Sequence, residues 1–273
     1  MIRDVHHVGI AVRSLERALA FYRDALSLEL VKEGDIPSRG VRAVMLAAGG
    51  SYLELIEPVA GDSPFAQHIE EHGEGLHHVA LWSDCVDAQV ERLRDKGVPL
   101  ADEQPRDGFT GRLSYLRPEA FEGALIEVVE PEAGLRGHGT HESVITRIDH
   151  VVLRVPDVRA ASQRMEDWFG VPTKRTFERG TQAFAFLRPG DVIIEVIGPI
   201  EGGAPASGKV AGLAFEVTGI DGLVESLKAR EFPVGDPHPA LQGGRIASVH
   251  ASAASGVPVA FIDFAGSPGP PKR

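Results

Sequence analysis

The chain has 273 residues, room for one large domain or two of about 130. A hydrophobic content of 43% with 25% charged residues is the composition of a globular chain that buries a proper core. The formal net charge of −11 and an aromatic content of 6% exclude a general phosphate-backbone binder and argue against a stacking platform for single-stranded nucleic acid, so a phosphorylated substrate would need a local basic patch. Cys85 is the only cysteine, which excludes an intrachain disulfide. With no basic cluster beside it in sequence, it reads as a small, half-buried side chain. No apolar run approaches the ~18 residues needed to span a bilayer. The opening MIRDVHHVGIAV enters a strand without the layout of a signal peptide. The expectation is a soluble, cytoplasmic protein without membrane or nucleic-acid partners.

Along the chain the same pattern recurs four times: an apolar strand, a polar turn and an amphipathic helix. The copies are HVGIAVRSLERALAFYRDAL from His7, HVALWSDCVDAQVERLRDKG from His78, HVVLRVPDVRAASQRMEDWFG from His150 and GLAFEVTGIDGLVESLKAREF from Gly212. Leu15, Val86, Val158 and Ile220 stand at one shared offset from these starts. In the first helix Leu15, Ala18, Leu19, Tyr22 and Leu26 recur at three- and four-residue spacing, with Glu16, Arg17, Arg23 and Asp24 opposite. Gly97 and Gly170 lie just past the second and third helices, where a left-handed residue is expected. Three strand-like runs follow each helix: LELVKEG, VRAVMLAA and SYLELIEPV in the first unit, VPLADEQ, RLSYLRP and GALIEVVEP in the second. Each unit is therefore β-α-β-β-β, and the fold class is α+β. The Gly-, His- and charge-rich stretch PEAGLRGHGTHES separates the halves, GPIEGGAPASGK separates the third and fourth units, and the tail AGSPGPPKR is too poor in apolar residues to order itself.

His7 and Glu54 of the first unit match His78 and Glu127 of the second in position. Each His opens an apolar strand (HHVGIAV, HHVALW) and each Glu lies inside another (YLELIEP, ALIEVVEP). Side chains alternate along a strand, so His7 shares a face with Gly9 and Ala11, and His78 with Ala80, leaving room for a ligand. Glu54 shares its face with Tyr52 and Ile56. Two imidazoles and two carboxylates suit one divalent cation such as Co²⁺, Ni²⁺, Mn²⁺, Fe²⁺ or Zn²⁺.

HHVGIAVRSLERALAFYRD, YLELIEPVAGDSPFAQHIEEHGEGLHHVAL and GALIEVVEP together resemble the vicinal-oxygen-chelate superfamily of glyoxalases, bleomycin-resistance proteins, extradiol dioxygenases and methylmalonyl-CoA epimerases. The N-terminal half is most similar to methylmalonyl-CoA epimerase, with the DSP-containing turn before GEGLHH as its more specific signal. The resemblance implies two glyoxalase-like domains with curled mixed sheets: a metal-binding domain over 1–133, a linker over 134–145, a second, metal-free domain over 146–266 and a disordered tail over 267–273. It places metal ligands at His7, Glu54, His78 and Glu127, the second His of each doublet aligning with the ligand. It also implies proton transfer at the α-carbon of an acyl thioester, with Glu127 as one base and Glu54 or a metal-bound water as the second carrier. The implied partner is a small-molecule substrate, an acyl-CoA or other thioester, and a homodimer is compatible with this reading.

The chain departs from the epimerases at Ala43, where some of them carry a glutamate, and at Arg117-Pro118-Glu119, where their triplet ends in Lys. Glu54 is also typical of bacterial-type glyoxalases, so a lactoylglutathione lyase is the alternative, and a non-catalytic small-molecule binder a further one. In the second half His150 and Glu195 keep the first-unit positions, but Gly212 and Ala260 replace the other pair. Residues 203–209, GAPASGK, imitate the start of a phosphate-binding loop; Val210 and the strand-like VAGLAFEV after it identify a connector instead. His138 and His141 read as solvated linker histidines, and His68 and His72 as neighbours on a short helix near the mouth of the cup.

Overall fold

The computed structural model describes residues 1–137, 143–201, 208–241 and 243–265. The predicted tail and the linker histidines His138 and His141 lie outside them, as does most of the GAPASGK connector. The first module is β1 (Ile2–Ala11), α1 (Leu15–Leu19), β2 (Glu29–Ile36), β3 (Val41–Ala48) and β4 (Ser51–Pro58). Helix α2 (Pro64–His72) leads into the second: β5 (Gly75–Ser83), α3 (Val86–Asp95), β6 (Arg106–Asp107), β7 (Gly111–Tyr115) and β8 (Leu125–Pro131). The third is β9 (Ile145–Arg154), α4 (Val158–Phe169), β10 (Thr173–Arg179), β11 (Gln182–Leu187) and β12 (Ile193–Pro199). The fourth is β13 (Lys209–Val217), α5 (Ile220–Ala229), β14 (His238–Pro239), β15 (Arg245–Val249) and β16 (Val259–Asp263). Two eight-stranded mixed sheets result, ordered β2-β3-β4-β1-β5-β8-β7-β6 and β10-β11-β12-β9-β13-β16-β15-β14.

The four residues at the shared offset are the first residues of α1, α3, α4 and α5. All four are buried, so one aliphatic anchor starts each helix against its sheet. Ser14 and Asp157 cap α1 and α4 by accepting from the backbone N–H groups of Arg17 and Ala160. Gly97 and Gly170 take the left-handed conformation at φ 71° and 69°, as their positions predict. β13 begins at Lys209, a strand where a phosphate-binding loop requires a helix.

Three features differ from the sequence reading. The first helix widens after Leu19 into a π-helical segment, Ala20–Ala25, closed by Leu26 N–H to Phe21 O at 3.0 Å. Phe21 and Tyr22, adjacent within that turn, are both buried. VPLADEQ is not a strand: it makes one bridge, Leu100 to Leu116, and the short β6 falls later. Pro99 and Pro105 flank that stretch and cannot donate to a ladder. Cys85 is exposed, not half-buried. It stands at the N-cap of α3, where the Ser83 hydroxyl bonds both its N–H and its carbonyl while Val86 takes the buried place. Among the described residues no helix is long and apolar enough to cross a membrane.

The chain divides into two compact units, one of Met1–Gly9, His77–Gly137 and His150–Ala211, the other of the remaining segments. In the first, the Gln89 amide donates to Trp168 O at 3.1 Å, and Phe121 packs edge-on against Trp168 at 5.5 Å. Asp4 accepts from the N–H groups of Asp191 and Val192 at 2.6 and 3.1 Å. Burial pushes the Asp4 carboxyl above its ordinary range, against the opposing pull of those bonds. In the second unit, Tyr22 Oη donates to Ala254 O at 3.0 Å, and Phe21 meets Phe232 edge-on at 5.3 Å. Phe121 is 1% exposed. Phe121→Ala is expected to destabilise the fold by about 3–5 kcal/mol, read as a lower denaturation midpoint, because it empties a packed aromatic cluster.

Candidate metal centre

β1 and β5 are neighbours in the middle of the first sheet. They bring His7 and His78 together with their Nε2 atoms 3.1 Å apart, both rings fully buried. Gly9 makes that approach feasible: a Cβ there would lie 2.1 Å from His78 Cε1. The parallel pairing of β5 with β8 sets Ala80 opposite Glu127, and β7 sets Tyr115 opposite Glu127 from the other side. One Glu127 carboxylate oxygen lies 3.8 Å from His7 Nε2 and the other 3.6 Å from His78 Nε2. Ligand atoms of His7, Glu54 and His78 lie within 4.8 Å of one another, with all three residues buried. His7, Glu54 and His78 therefore form one possible ligand group, and Glu127 adjoins both of its histidines.

Two donors each about 2.1 Å from one ion stand at most about 4.2 Å apart, so the His7–His78 and His–Glu127 spacings fit a shared divalent cation. Burying carboxylates beside imidazoles without a counter-charge costs several kcal/mol per ion, and a cation offsets that cost. The donor set and its burial fit the group.

Sequence reasoning missed four further residues. Tyr115 Oη approaches His78 Nε2 at 3.4 Å, and the Arg106 guanidinium lies over the Tyr115 ring, 5.8 Å from its centroid. His6 and His77, the first members of the two doublets, touch the second members through Nδ1–Nδ1 approaches of 2.8 and 2.9 Å. The register of β7 in RLSYLRP could have exposed Tyr115. The doublets were in view, but the alternation of strand faces sets neighbours apart and hid their contact. Of the departures, Ala43 is buried opposite Ile56, in the same strand pair that sets Met45 opposite Glu54. Glu119 is exposed on a 3-10 turn, Pro118–Phe121. His68 and His72 stand edge-on at 5.0 Å on α2, where His72 pairs with Glu71.

In the second sheet β13 and β16 set Ala214 opposite Ala260, the register that sets Ala80 opposite Glu127 in the first. Ala260 is thus the structural counterpart of Glu127. His150 Nε2 and a Glu195 carboxylate oxygen pair at 3.5 Å.

Residues 6–115 and 149–248 both match the Glyoxalase/Bleomycin resistance protein/Dioxygenase superfamily. The uncharacterized protein YqjC of Bacillus subtilis is 36% identical over 137 residues, which are 50% of this chain and 96% of that protein. An ethylmalonyl-CoA/methylmalonyl-CoA epimerase of Cereibacter sphaeroides is 33% identical over 131 residues, 47% of this chain and 98% of its own. A mutant of 4-hydroxymandelate synthase from Streptomyces coelicolor matches 98% of this chain and 94% of its own with a TM-score of 0.73. At 18% identity that likeness shows the fold alone. Gly9→Ala is expected to push the His78 ring aside and weaken Co²⁺ or Zn²⁺ binding at least tenfold while the circular dichroism spectrum stays unchanged; titration with a competing chelator measures it. The chain, matched across both halves, belongs to the glyoxalase/bleomycin resistance/dioxygenase superfamily.

Proposed function

We propose that residues 1–133 form a divalent-metal-dependent epimerase or isomerase that moves the α-proton of an acyl thioester of the 2-methylmalonyl-CoA kind. Residues 134–145 then act as a linker, and 146–266 as a second domain without its own metal. The observation that carries this reading is the buried quartet: two imidazole nitrogens 3.1 Å apart, with Glu127 facing both and Glu54 beside them. Similarity of this half to an ethylmalonyl-CoA/methylmalonyl-CoA epimerase supports the substrate class.

His7, Glu54, His78 and Glu127 would hold the ion, one of Co²⁺, Ni²⁺, Mn²⁺, Fe²⁺ or Zn²⁺, which supplies charge stabilisation to a carbonyl oxygen that becomes an enolate oxygen. Glu127 takes the α-proton onto a carboxylate oxygen as the Cα–H bond breaks and its electron pair moves toward the thioester carbonyl. A second carrier, either Glu54 if it starts in its protonated form or a water, returns a proton to the opposite face as the enolate's electron pair re-forms the Cα–H bond. Arg106, which lies over the Tyr115 ring and pairs with Asp102 at 3.4 Å, is a candidate cation for an anionic substrate group.

In D₂O the metal-loaded protein is expected to exchange the α-hydrogen of methylmalonyl-CoA, and Glu127→Gln to slow that exchange at least 10²-fold. Exchange unchanged in the variant would remove Glu127 from proton transfer. No exchange by a protein that binds one equivalent of metal, together with lactoylglutathione formation from the glutathione hemithioacetal of methylglyoxal, would replace the epimerase with the lyase.

A further inference from the structure

We infer that His6 is a positioning residue that fixes the tautomer of His7 and so prepares His7 Nε2 as a metal donor. The inference rests on the reading of the quartet as a metal centre, and it concerns a residue outside that quartet.

His6 Nε2 lies 2.8 Å from the backbone carbonyl oxygen of Leu135, in a short 3-10 turn, Ala133–Leu135. A carbonyl oxygen only accepts, so this nitrogen carries the hydrogen and donates it. In a neutral imidazole the other nitrogen then has a lone pair and accepts. His6 Nδ1 lies 2.8 Å from His7 Nδ1, which must therefore be the N–H partner. With its hydrogen on Nδ1, His7 presents a lone pair at Nε2, the atom that faces His78 Nε2 and Glu127. A metal-ligating histidine commonly has its second nitrogen held by an outer partner, and loss of that partner typically weakens metal binding 10- to 100-fold.

The setting makes the relay directional. Both rings are fully buried. His6 also packs edge-on against Trp82 at 6.2 Å and against His7 at 5.1 Å, which restricts ring flips. The Leu135 carbonyl is the fixed end: it sets His6, His6 sets His7, and His7 offers its lone pair to the cluster. The doublet recurs in β5, where His77 Nδ1 meets His78 Nδ1 at 2.9 Å. The direction is assigned at His6 because its outer nitrogen meets an atom that cannot donate.

The test uses the full chain labelled with ¹⁵N-histidine and stripped of metal by chelator, with His7 resonances assigned through His7→Gln. Long-range ¹⁵N–¹H correlation is expected to show His7 protonated at Nδ1 in the native sequence. In His6→Leu it should show the hydrogen moving to Nε2 in a substantial fraction of molecules. Co²⁺ affinity is expected to fall 10- to 100-fold in His6→Leu and to recover in large part in His6→Asn, which keeps an acceptor near the Nδ1 position. A native His7 protonated at Nε2 overturns the relay, whether or not the variants fold. So does a His6→Leu protein whose Co²⁺ affinity equals that of the native chain. If the native chain takes up no Co²⁺, the metal centre itself fails, while the tautomer measurement still decides what His6 does to His7.

Discussion

Two imidazole nitrogens held 3.1 Å apart in a dry sheet centre are the constraint on which the rest of the structure depends. Lone pairs at that distance repel unless a proton or a cation lies between or beside them, and burial removes the water that would otherwise separate them. Adjacent middle strands impose the approach, and sheet register cannot relax it without turning every side chain to the other face. The neighbouring residues follow from this. Gly9 is required because any Cβ would collide with the His78 ring, and Ala80 is the small residue opposite Glu127. Glu127 spans the pair with one oxygen toward each imidazole, which places negative charge where the nitrogens alone provide none.

Much of this arrangement was legible in the sequence because it repeats. One strand–helix offset recurring four times located the first residue of each module's helix. Matching His and Glu positions in two modules singled out four residues, three of which, His7, Glu54 and His78, lie together with ligand-like spacing. What the sequence hid was non-periodic. The π-helical turn over Ala20–Ala25 rests on a wider i→i+5 hydrogen bond that the apolar spacing does not signal. The loss of a strand at VPLADEQ follows from Pro99 and Pro105, whose missing N–H groups outweigh the apolar start of the run. The contact of His6 with His7 is the more instructive omission. Alternation along a strand says that neighbours diverge, but an imidazole is long enough for its Nδ1 to meet that of the next residue.

The second sheet shows what the same register does without the full donor set. Ala260 occupies the position of Glu127 and Gly212 that of His78, so two donors are absent from an otherwise equivalent backbone. The remaining His150 and Glu195 pair at 3.5 Å. With side chains only 13% and 16% exposed, the two groups satisfy one another in a site that lacks the other two donors. Phe177, Phe184 and Phe186 stack on the adjoining strands at 4.7 and 5.7 Å, with Arg175 over Phe177. These aromatics lie on β10 and β11, the two strands at one end of the second sheet.

The contrast between the sheets separates what the fold needs from what the centre needs. Helix anchors, strand order and the β-strand register are common to both, so none of them requires buried charge. The quartet, the glycine beside it and the outer histidines add nothing that an apolar filling would not supply at lower desolvation cost. A set of residues that opposes stability yet is held from both sides, by a glycine that admits the ring and a carbonyl that orients it, is the pattern of a site organised for a ligand. The strength of that argument lies in Leu135. A structural histidine needs only a partner for its polar atoms, whereas His6 receives one that can accept and cannot donate, and that chemical asymmetry turns a satisfied core residue into a device that decides which nitrogen of His7 faces the centre.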